Sequence, residues 1–193
     1  METDNLQDDP KILMQLAKSG NTEAFGRLYE IYFMPVFRYI YFRVKDKEEA
    51  NDLTQTVFIK VFCALPNFKE QNKSPLAYFF TVSRNIVIDY WRTKKRIILA
   101  GHENELENIP DKTNNPLELA EKKETSKVIH RAIQELTDIQ QEVIILKFIN
   151  DIPNKNIAEL MDKTEEAVRQ LQCRALKRLQ QILKTSDMNR LYE

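Results

Sequence analysis

Glycine is scarce in this chain, and its scarcity limits both the fold and the function. Only 3 glycines occur among the 193 residues, at Gly20, Gly26 and Gly101. A loop that cradles phosphate needs several glycines at fixed spacing, so a glycine-rich nucleotide site is excluded. All-β and doubly wound α/β folds need many tight turns, and the sequence therefore argues against both.

Cysteine and histidine are also rare. Cys63 and Cys173 lie far apart, each inside an apolar helical stretch. This placement favours small buried residues over a disulfide or a metal site, and it fits a reducing compartment. His102 and His130 have no cysteine or second histidine at ligand spacing. We therefore predict no metal and no cofactor. No nucleophile stands beside a base, so we do not expect an enzyme.

Net charge and long apolar runs are missing as well. The 29 basic and 29 acidic residues cancel, so any affinity for nucleic acid must come from local segregation of charge. No apolar run reaches the ~20 residues that span a bilayer. The start of the chain, METDNLQDDP, is acidic and polar, unlike a secretory signal. We predict a cytoplasmic protein that does not insert into membranes.

Helical periodicity is the dominant pattern that is present. Apolar residues recur at helical spacing over 25–40, 50–65 and 76–90, with Pro35 expected to kink or divide the first helix. The sequence predicts an all-α fold.

An acidic segment divides the helices into two groups. Residues 97–124 are rich in glutamate and are broken by Pro110 and Pro116, which is typical of a flexible linker. We predict two small helical domains, over 10–96 and 125–184, joined by this linker.

Two stretches have the chemistry of nucleic-acid binding. Tyr78 to Arg96 combines aromatic rings, which stack on unpaired bases, with cations that follow phosphate. A core helix with a solvated basic tail explains that stretch equally well.

The second stretch runs from Ile152 to Leu183. It has a short apolar helix, a turn over 162–164 and a longer helix whose apolar stripe runs from Ala167 through Leu176. Its other face is rich in arginine and glutamine. This pattern is typical of a helix-turn-helix DNA reader. An ordinary helical hairpin with a solvated basic face has a similar pattern, and DNA reading is the favoured interpretation.

Three segments, taken in order, resemble the bacterial RNA polymerase sigma factors of the extracytoplasmic-function (ECF) class. Residues 50–58 are similar to the family's AEDLxQExF segment, and residues 78–92 to its WLxxIARNxxxDxxR segment. Residues 167–176 resemble its recognition helix. The sequence departs from these patterns at Tyr78, where the family has tryptophan, and at Thr56, where it has an acidic residue.

The resemblance implies core RNA polymerase and promoter DNA as partners, with an anti-sigma factor that restrains the protein. It implies polymerase contacts at Asp52, Gln55, Thr56 and Lys60. It implies minus-ten contacts at Asn67, Phe68, Lys69, Tyr78, Arg84, Asn85, Trp91, Arg92, Lys95 and Arg96. It implies minus-thirty-five contacts at Glu165, Glu166, Arg169, Gln170, Gln172, Arg174 and Arg178.

Two other functions fit the residues. A stand-alone helix-turn-helix regulator would bind a ligand or dimerise through its first domain. A structural helical interaction protein would use neither basic surface.

Overall fold

The computed structural model describes residues 9–44, 46–67, 74–99 and 127–190, and the regular structure within these ranges is helical throughout. The predicted contacts Phe68 and Lys69, and most of the predicted linker, lie outside the described residues. The all-α prediction is confirmed.

The N-terminal region consists of helices α1 to α4. Their bounds are Pro10–Lys18 for α1, Thr22–Tyr41 for α2, Lys47–Ala64 for α3 and Pro75–Leu99 for α4, with a 3₁₀ turn at Leu65–Asn67 after α3. Short polar side chains begin these helices: Asn21 Oδ1 accepts a hydrogen bond from the Ala24 amide at 3.0 Å, and Asp46 Oδ1 accepts one from the Glu49 amide at 2.8 Å. Each bond satisfies an amide that has no partner within its helix.

The C-terminal region consists of helices α5 to α8. The described part of α5 spans 127–134. Helix α6 spans Asp138–Ile144 and continues as a π-helical segment over Ile145–Ile149. Helices α7 and α8 span Asn154–Met161 and Glu165–Arg190.

The two regions share one continuous apolar core. Helix α2 packs against α1, α3 and α4, while α8 packs against α6 and α7. The regions meet where α2 contacts the π-helical segment and α4 contacts α7. Buried residues from both sides belong to the same cluster, among them Leu28, Val36, Tyr39, Phe79, Val87, Ile133, Ile145, Leu146, Ile157 and Val168.

Three local expectations can be compared with the structure. Pro35 was expected to kink or divide α2, and the helix is not divided there but continues to Tyr41. Helix α4 reaches Leu99, whereas the linker was predicted from residue 97. Cys63 and Cys173 were predicted to be buried, but both are free and exposed, so the described helices leave them uncovered.

No helix within the described residues has the length and apolar character needed to cross a membrane.

His130 ties α5 to the end of α2. Its ring stacks on Tyr41, with centroids 4.6 Å apart and an interplanar angle of 9°. Its Nε2 donates to the Tyr41 carbonyl oxygen at 2.8 Å. Burial lowers the pKa of His130, against the smaller effect of backbone hydrogen bonds that favour the charged form. Folding therefore disfavours the protonated form of this ring.

The lowered pKa of His130 predicts a loss of stability in mild acid. Below the ordinary pKa of about 6.5 the unfolded chain binds a proton that the folded chain resists, so the free energy of unfolding falls. Urea denaturation at pH 7.5 and pH 5.5 should show a smaller acid-induced loss for His130→Gln than for the wild type. Equal losses in the two proteins would show that His130 does not titrate differently on folding.

Candidate nucleic-acid interface

A helix-turn-helix lies at the C-terminal end of the structure, where the sequence predicted it. After α7 the chain reverses at Asp162, whose backbone is left-handed with φ 52° and ψ 53°. The Lys163 amide donates to the Ala158 carbonyl at 2.9 Å and closes the end of α7. Thr164 Oγ1 accepts from the Ala167 amide at 3.1 Å and begins α8.

Helix α8 has a narrow buried stripe and a broad exposed face. Val168, Ala175 and Ile182 are buried, and α8 packs against α6 and α7. Leu176 was predicted to belong to the apolar stripe, but it is 42% exposed. The predicted minus-thirty-five contacts on the exposed face are Glu165, Glu166, Arg169, Gln170, Arg174 and Arg178.

Several of the predicted contacts have partners within the protein. Arg169 lies 3.2 Å from Glu166 and 3.6 Å from Glu165, both on the preceding turn of α8. Gln172 is half-buried, and its Nε2 donates to Asn154 Oδ1 at 2.8 Å. Gln172 therefore joins α8 to α7, a role that the sequence did not indicate.

Helix α4 presents a second polar face. Arg84, Asn85, Arg92, Lys95 and Arg96 are exposed along it. Arg92 forms an exposed ion pair with Asp89 at 3.2 Å, which contributes little to stability. Within the described residues, Lys95 and Arg96 form no ion pair, so these two cations are available to a phosphate backbone.

The aromatic side chains of α4 are only partly exposed, which limits their stacking on bases. Trp91 is 37% exposed, and its indole Nε1 donates to the Arg43 carbonyl at 3.1 Å. Tyr78 is half-buried, and burial raises the pKa of its hydroxyl. Asn67 is exposed at the end of the 3₁₀ turn.

A polar cluster joins α4 to α3. The Tyr90 hydroxyl donates to Glu49, and Lys94 Nζ lies 3.3 Å from Glu49 Oε1. Burial and the hydrogen bond to Glu49 raise the pKa of Tyr90. Lys94 also lies 5.9 Å from the Trp91 ring centre, within cation–π range. Sequence reasoning assigned Tyr90 and Lys94 only to the basic and aromatic stretch and missed this cluster, because Glu49 lies on another helix.

The predicted polymerase contacts share one side of α3. Asp52, Gln55 and Lys60 are exposed at helical spacing. Thr56 is half-buried and donates to the Asp52 carbonyl at 2.9 Å. Gln55 also borders an open apolar depression, which sequence reasoning missed and whose other lining residues are Phe25, Tyr29, Phe58, Ile59 and Phe62.

Arg84 lies at the boundary between the two regions. Its Nε is 3.4 Å from Glu142 Oε2 on α6. One predicted minus-ten contact is thus paired with a carboxylate of the C-terminal region in this structure.

Two family models match the chain in order. Sigma-70 region 2 matches residues 28–97, which cover most of α2 through α4. Sigma-70, region 4 matches residues 126–179, which include the helix-turn-helix.

Curated relatives are similar along most of the chain. The ECF RNA polymerase sigma factor SigX of Bacillus subtilis is 30% identical over 158 residues, covering 80% of this chain and 81% of SigX. The ECF sigma factor BldN of Streptomyces coelicolor is 32% identical over 176 residues, covering 89% of this chain and 64% of BldN. The chain thus spans slightly under two thirds of the length of BldN.

Solved structures share the fold. One is CnrH in complex with the cytosolic domain of CnrY, with a TM-score of 0.69 at 21% identity, covering 92% of this chain and 98% of that chain. Another is the sigma factor RpoE in complex with the anti-sigma factor NepR from Bartonella quintana, with a TM-score of 0.65 at 20% identity, covering 83% and 96%.

Both helical regions, and their order along the chain, are those of a transcription initiation factor of the sigma-70 type. Within that class, the chain belongs to the ECF sigma factors. This family consists of transcription initiation factors rather than enzymes.

Because Thr164 caps α8, we expect the protein to be less stable when the Thr164 hydroxyl is removed. Thr164→Ala should lower the free energy of unfolding by about 1 kcal/mol in urea denaturation, because the Ala167 amide loses its acceptor. The matched control is Thr185→Ala on the same helix, where the hydroxyl only donates back to the Gln181 carbonyl at 3.0 Å. The control should change stability by less than about 0.5 kcal/mol. Equal effects of the two substitutions would contradict the cap.

Proposed function

We propose that this sigma factor binds polymerase and the two promoter elements through three separate surfaces. The exposed side of α3, with Asp52, Gln55, Thr56 and Lys60, docks on core RNA polymerase. Helix α4 engages the minus-ten element as it melts, and the helix-turn-helix reads the minus-thirty-five element. The observation that carries this division is the presence of two separate candidate DNA surfaces, on α4 and α8, within segments that match sigma-70 region 2 and region 4.

The chemistry of α4 suits opened DNA. Unstacking a base costs a few kcal/mol, and stacking on an aromatic ring returns about 1–3 kcal/mol per base. Tyr78 and Trp91 supply rings, while Arg92, Lys95 and Arg96 supply charge for the phosphate backbone. Asn67, Arg84 and Asn85 complete the described part of this proposed surface.

The chemistry of α8 suits duplex DNA. Arginine donates two hydrogen bonds to guanine, glutamine pairs with adenine, and glutamate accepts from the amino group of cytosine. Arg174 and Gln170 are exposed and suited to base edges, while Glu165 and Glu166 lie at the N-terminal end of the helix. Arg169 would have to exchange its glutamate partners for DNA.

We further propose an anti-sigma factor as a partner, and the cytoplasm, where RNA polymerase acts, as the location. Support comes from the structural relatives, since CnrH was solved with the cytosolic domain of CnrY and RpoE with the anti-sigma factor NepR. The stand-alone regulator is not favoured, because residues 28–97 match a sigma-70 region rather than a ligand-binding or dimerisation domain.

Reconstitution tests the proposed division. The purified chain is mixed with bacterial core polymerase and a genomic promoter library, and transcripts are mapped. We expect start sites that share two spaced sequence elements and that need both the chain and the core enzyme. Tight sequence-specific binding to duplex DNA without polymerase, together with no promoter-dependent transcript, would favour a stand-alone regulator.

Arg174 is expected to contribute to recognition of the upstream element. Arg174→Ala should lower promoter-specific transcription by about 10- to 100-fold, which corresponds to about 1–3 kcal/mol of base discrimination. The control is Arg27→Ala, which removes an exposed arginine of α2 whose partner is Glu30 at 3.0 Å. Equal activity of both variants would show that Arg174 does not contribute to promoter recognition.

A further inference from the structure

Lys94 differs from the residues around it at the end of α4. Every other residue within 91–99 is exposed, whereas the Lys94 side chain is only 19% exposed. The reason is Glu49 on α3, whose Oε1 lies 3.3 Å from Lys94 Nζ. A surface lysine ordinarily keeps its ammonium group in water, where a phosphate can reach it. The ammonium group of Lys94 is instead held against α3.

The Tyr90 hydroxyl completes the polar cluster of Glu49, Tyr90 and Lys94. Lys94 Nζ donates to the Tyr90 hydroxyl oxygen at 2.6 Å, and the Tyr90 hydroxyl donates to Glu49. Tyr90 and Lys94 are one turn apart on α4, so both reach the same carboxylate. Each of the three groups therefore has two partners within the cluster, and the Lys94 ammonium has little freedom to meet a phosphate.

The polar cluster lies against Trp91, which is the only tryptophan of the chain. Lys94 Nζ is 5.9 Å from the Trp91 ring centre, and the Tyr90 ring meets the Trp91 ring edge-on with centroids 5.1 Å apart. On another side, the indole Nε1 donates to the Arg43 carbonyl at 3.1 Å. The ring is thus held by several contacts while 37% of the residue stays exposed. A ring that is already ordered loses less entropy when a base stacks on it.

We propose that Lys94 is a positioning residue for Trp91 and does not itself contact DNA. Glu49 and Tyr90 hold the Lys94 ammonium, and the held ammonium keeps the indole ring oriented to stack on an unpaired base of the minus-ten element. This inference rests on the proposed function of α4. It adds Glu49, Tyr90 and Lys94 to the residues on which DNA opening depends.

The phosphate contacts of this part of α4 come from Lys95 and Arg96. Both side chains are exposed, in contrast to Lys94. Lys95 lies one turn after Trp91 on the same side of the helix. It is therefore placed to meet the strand whose base stacks on Trp91. Two adjacent lysines thus have different roles, one toward the ring and one toward the DNA backbone.

The single tryptophan allows the ring to be followed without a label. Acrylamide quenching and fluorescence anisotropy of the free chain report the exposure and mobility of Trp91. Lys94→Met and Glu49→Gln should each raise the quenching constant about twofold and lower the anisotropy, because a released side chain reorients within picoseconds to nanoseconds. The matched controls are Lys95→Met and Glu48→Gln, which make the same changes at exposed neighbours and should leave both quantities at the wild-type values.

Salt dependence separates a phosphate contact from a positioning role. The probe is a promoter recovered by the reconstitution described above, prepared with an unpaired minus-ten strand and bound by the chain with core polymerase. Each phosphate contact to a single strand contributes about 0.7 to the slope of log K against log salt concentration. Lys95→Met should make the slope shallower by about 0.7, whereas Lys94→Met should leave the slope unchanged.

The sign of the Glu49→Gln effect provides a second distinction. An adenine of the minus-ten element is replaced by 2-aminopurine, whose fluorescence reports unstacking in the duplex promoter. Glu49→Gln and Lys94→Met should lower the yield of opened promoter about three- to tenfold, the range expected when one side chain must be ordered on binding. If Lys94 contacted phosphate, removing the Glu49 charge would free a cation and raise the affinity for DNA instead. Glu48→Gln should open the promoter as the wild type does.

The proposal is overturned if Lys94→Met changes the salt slope as much as Lys95→Met does, or if Glu49→Gln raises the affinity for the probe. It is also overturned if the two cluster variants, with the helical circular dichroism of the wild type, match their controls in Trp91 fluorescence or in promoter opening. Failure of the wild type to direct promoter-specific transcription would instead refute the proposed function. The fluorescence of the free chain would still decide whether the polar cluster fixes the Trp91 ring.

Discussion

The burial of α2 is the constraint on which the rest of the structure depends. This helix contacts α1, α3, α4 and the π-helical segment. Leu28, Val36, Tyr39 and Ile40 are fully buried along it, so its apolar residues are covered on several sides. At about 25 cal/mol per Å² of apolar surface, such burial is the main stabilising contribution. Both α3 and α4 pack on this one helix. Their outward faces form the proposed polymerase and minus-ten surfaces, and the shared packing fixes the position of one surface relative to the other.

The net charge of the chain is zero, and some cations on its surface are paired with nearby carboxylates. Several cations of the two candidate DNA surfaces are balanced by carboxylates of the protein itself: Arg84 by Glu142, and Arg169 by Glu165 and Glu166. Free cations give most proteins their non-specific affinity for DNA, and internal pairing lowers that affinity. We therefore expect weak DNA binding by the free chain, in keeping with the proposed role on the polymerase.

Much of the fold follows from patterns within a few turns of helix. Apolar periodicity predicted the helices, and Asp162 to Thr164 marked the turn of the helix-turn-helix. Exposure of single side chains was predicted less well. Leu176 and Cys173 lie exposed, because the buried stripe of α8 is narrower than the apolar sequence pattern suggests.

Local patterns in the sequence predicted the helical class, while resemblance to a family supplied the order of the three segments and the candidate contact residues. Helix capping, periodicity and turn geometry act between residues a few positions apart, and a sequence displays them directly. The three-dimensional packing decided which of those residues have partners. Tyr90 meets Glu49 across 41 positions, Trp91 meets the Arg43 carbonyl across 48, and Gln172 meets Asn154 across 18. Such contacts depend on how whole helices pack, because a hydrogen bond or an ion pair forms only when distant segments lie within a few ångströms of each other.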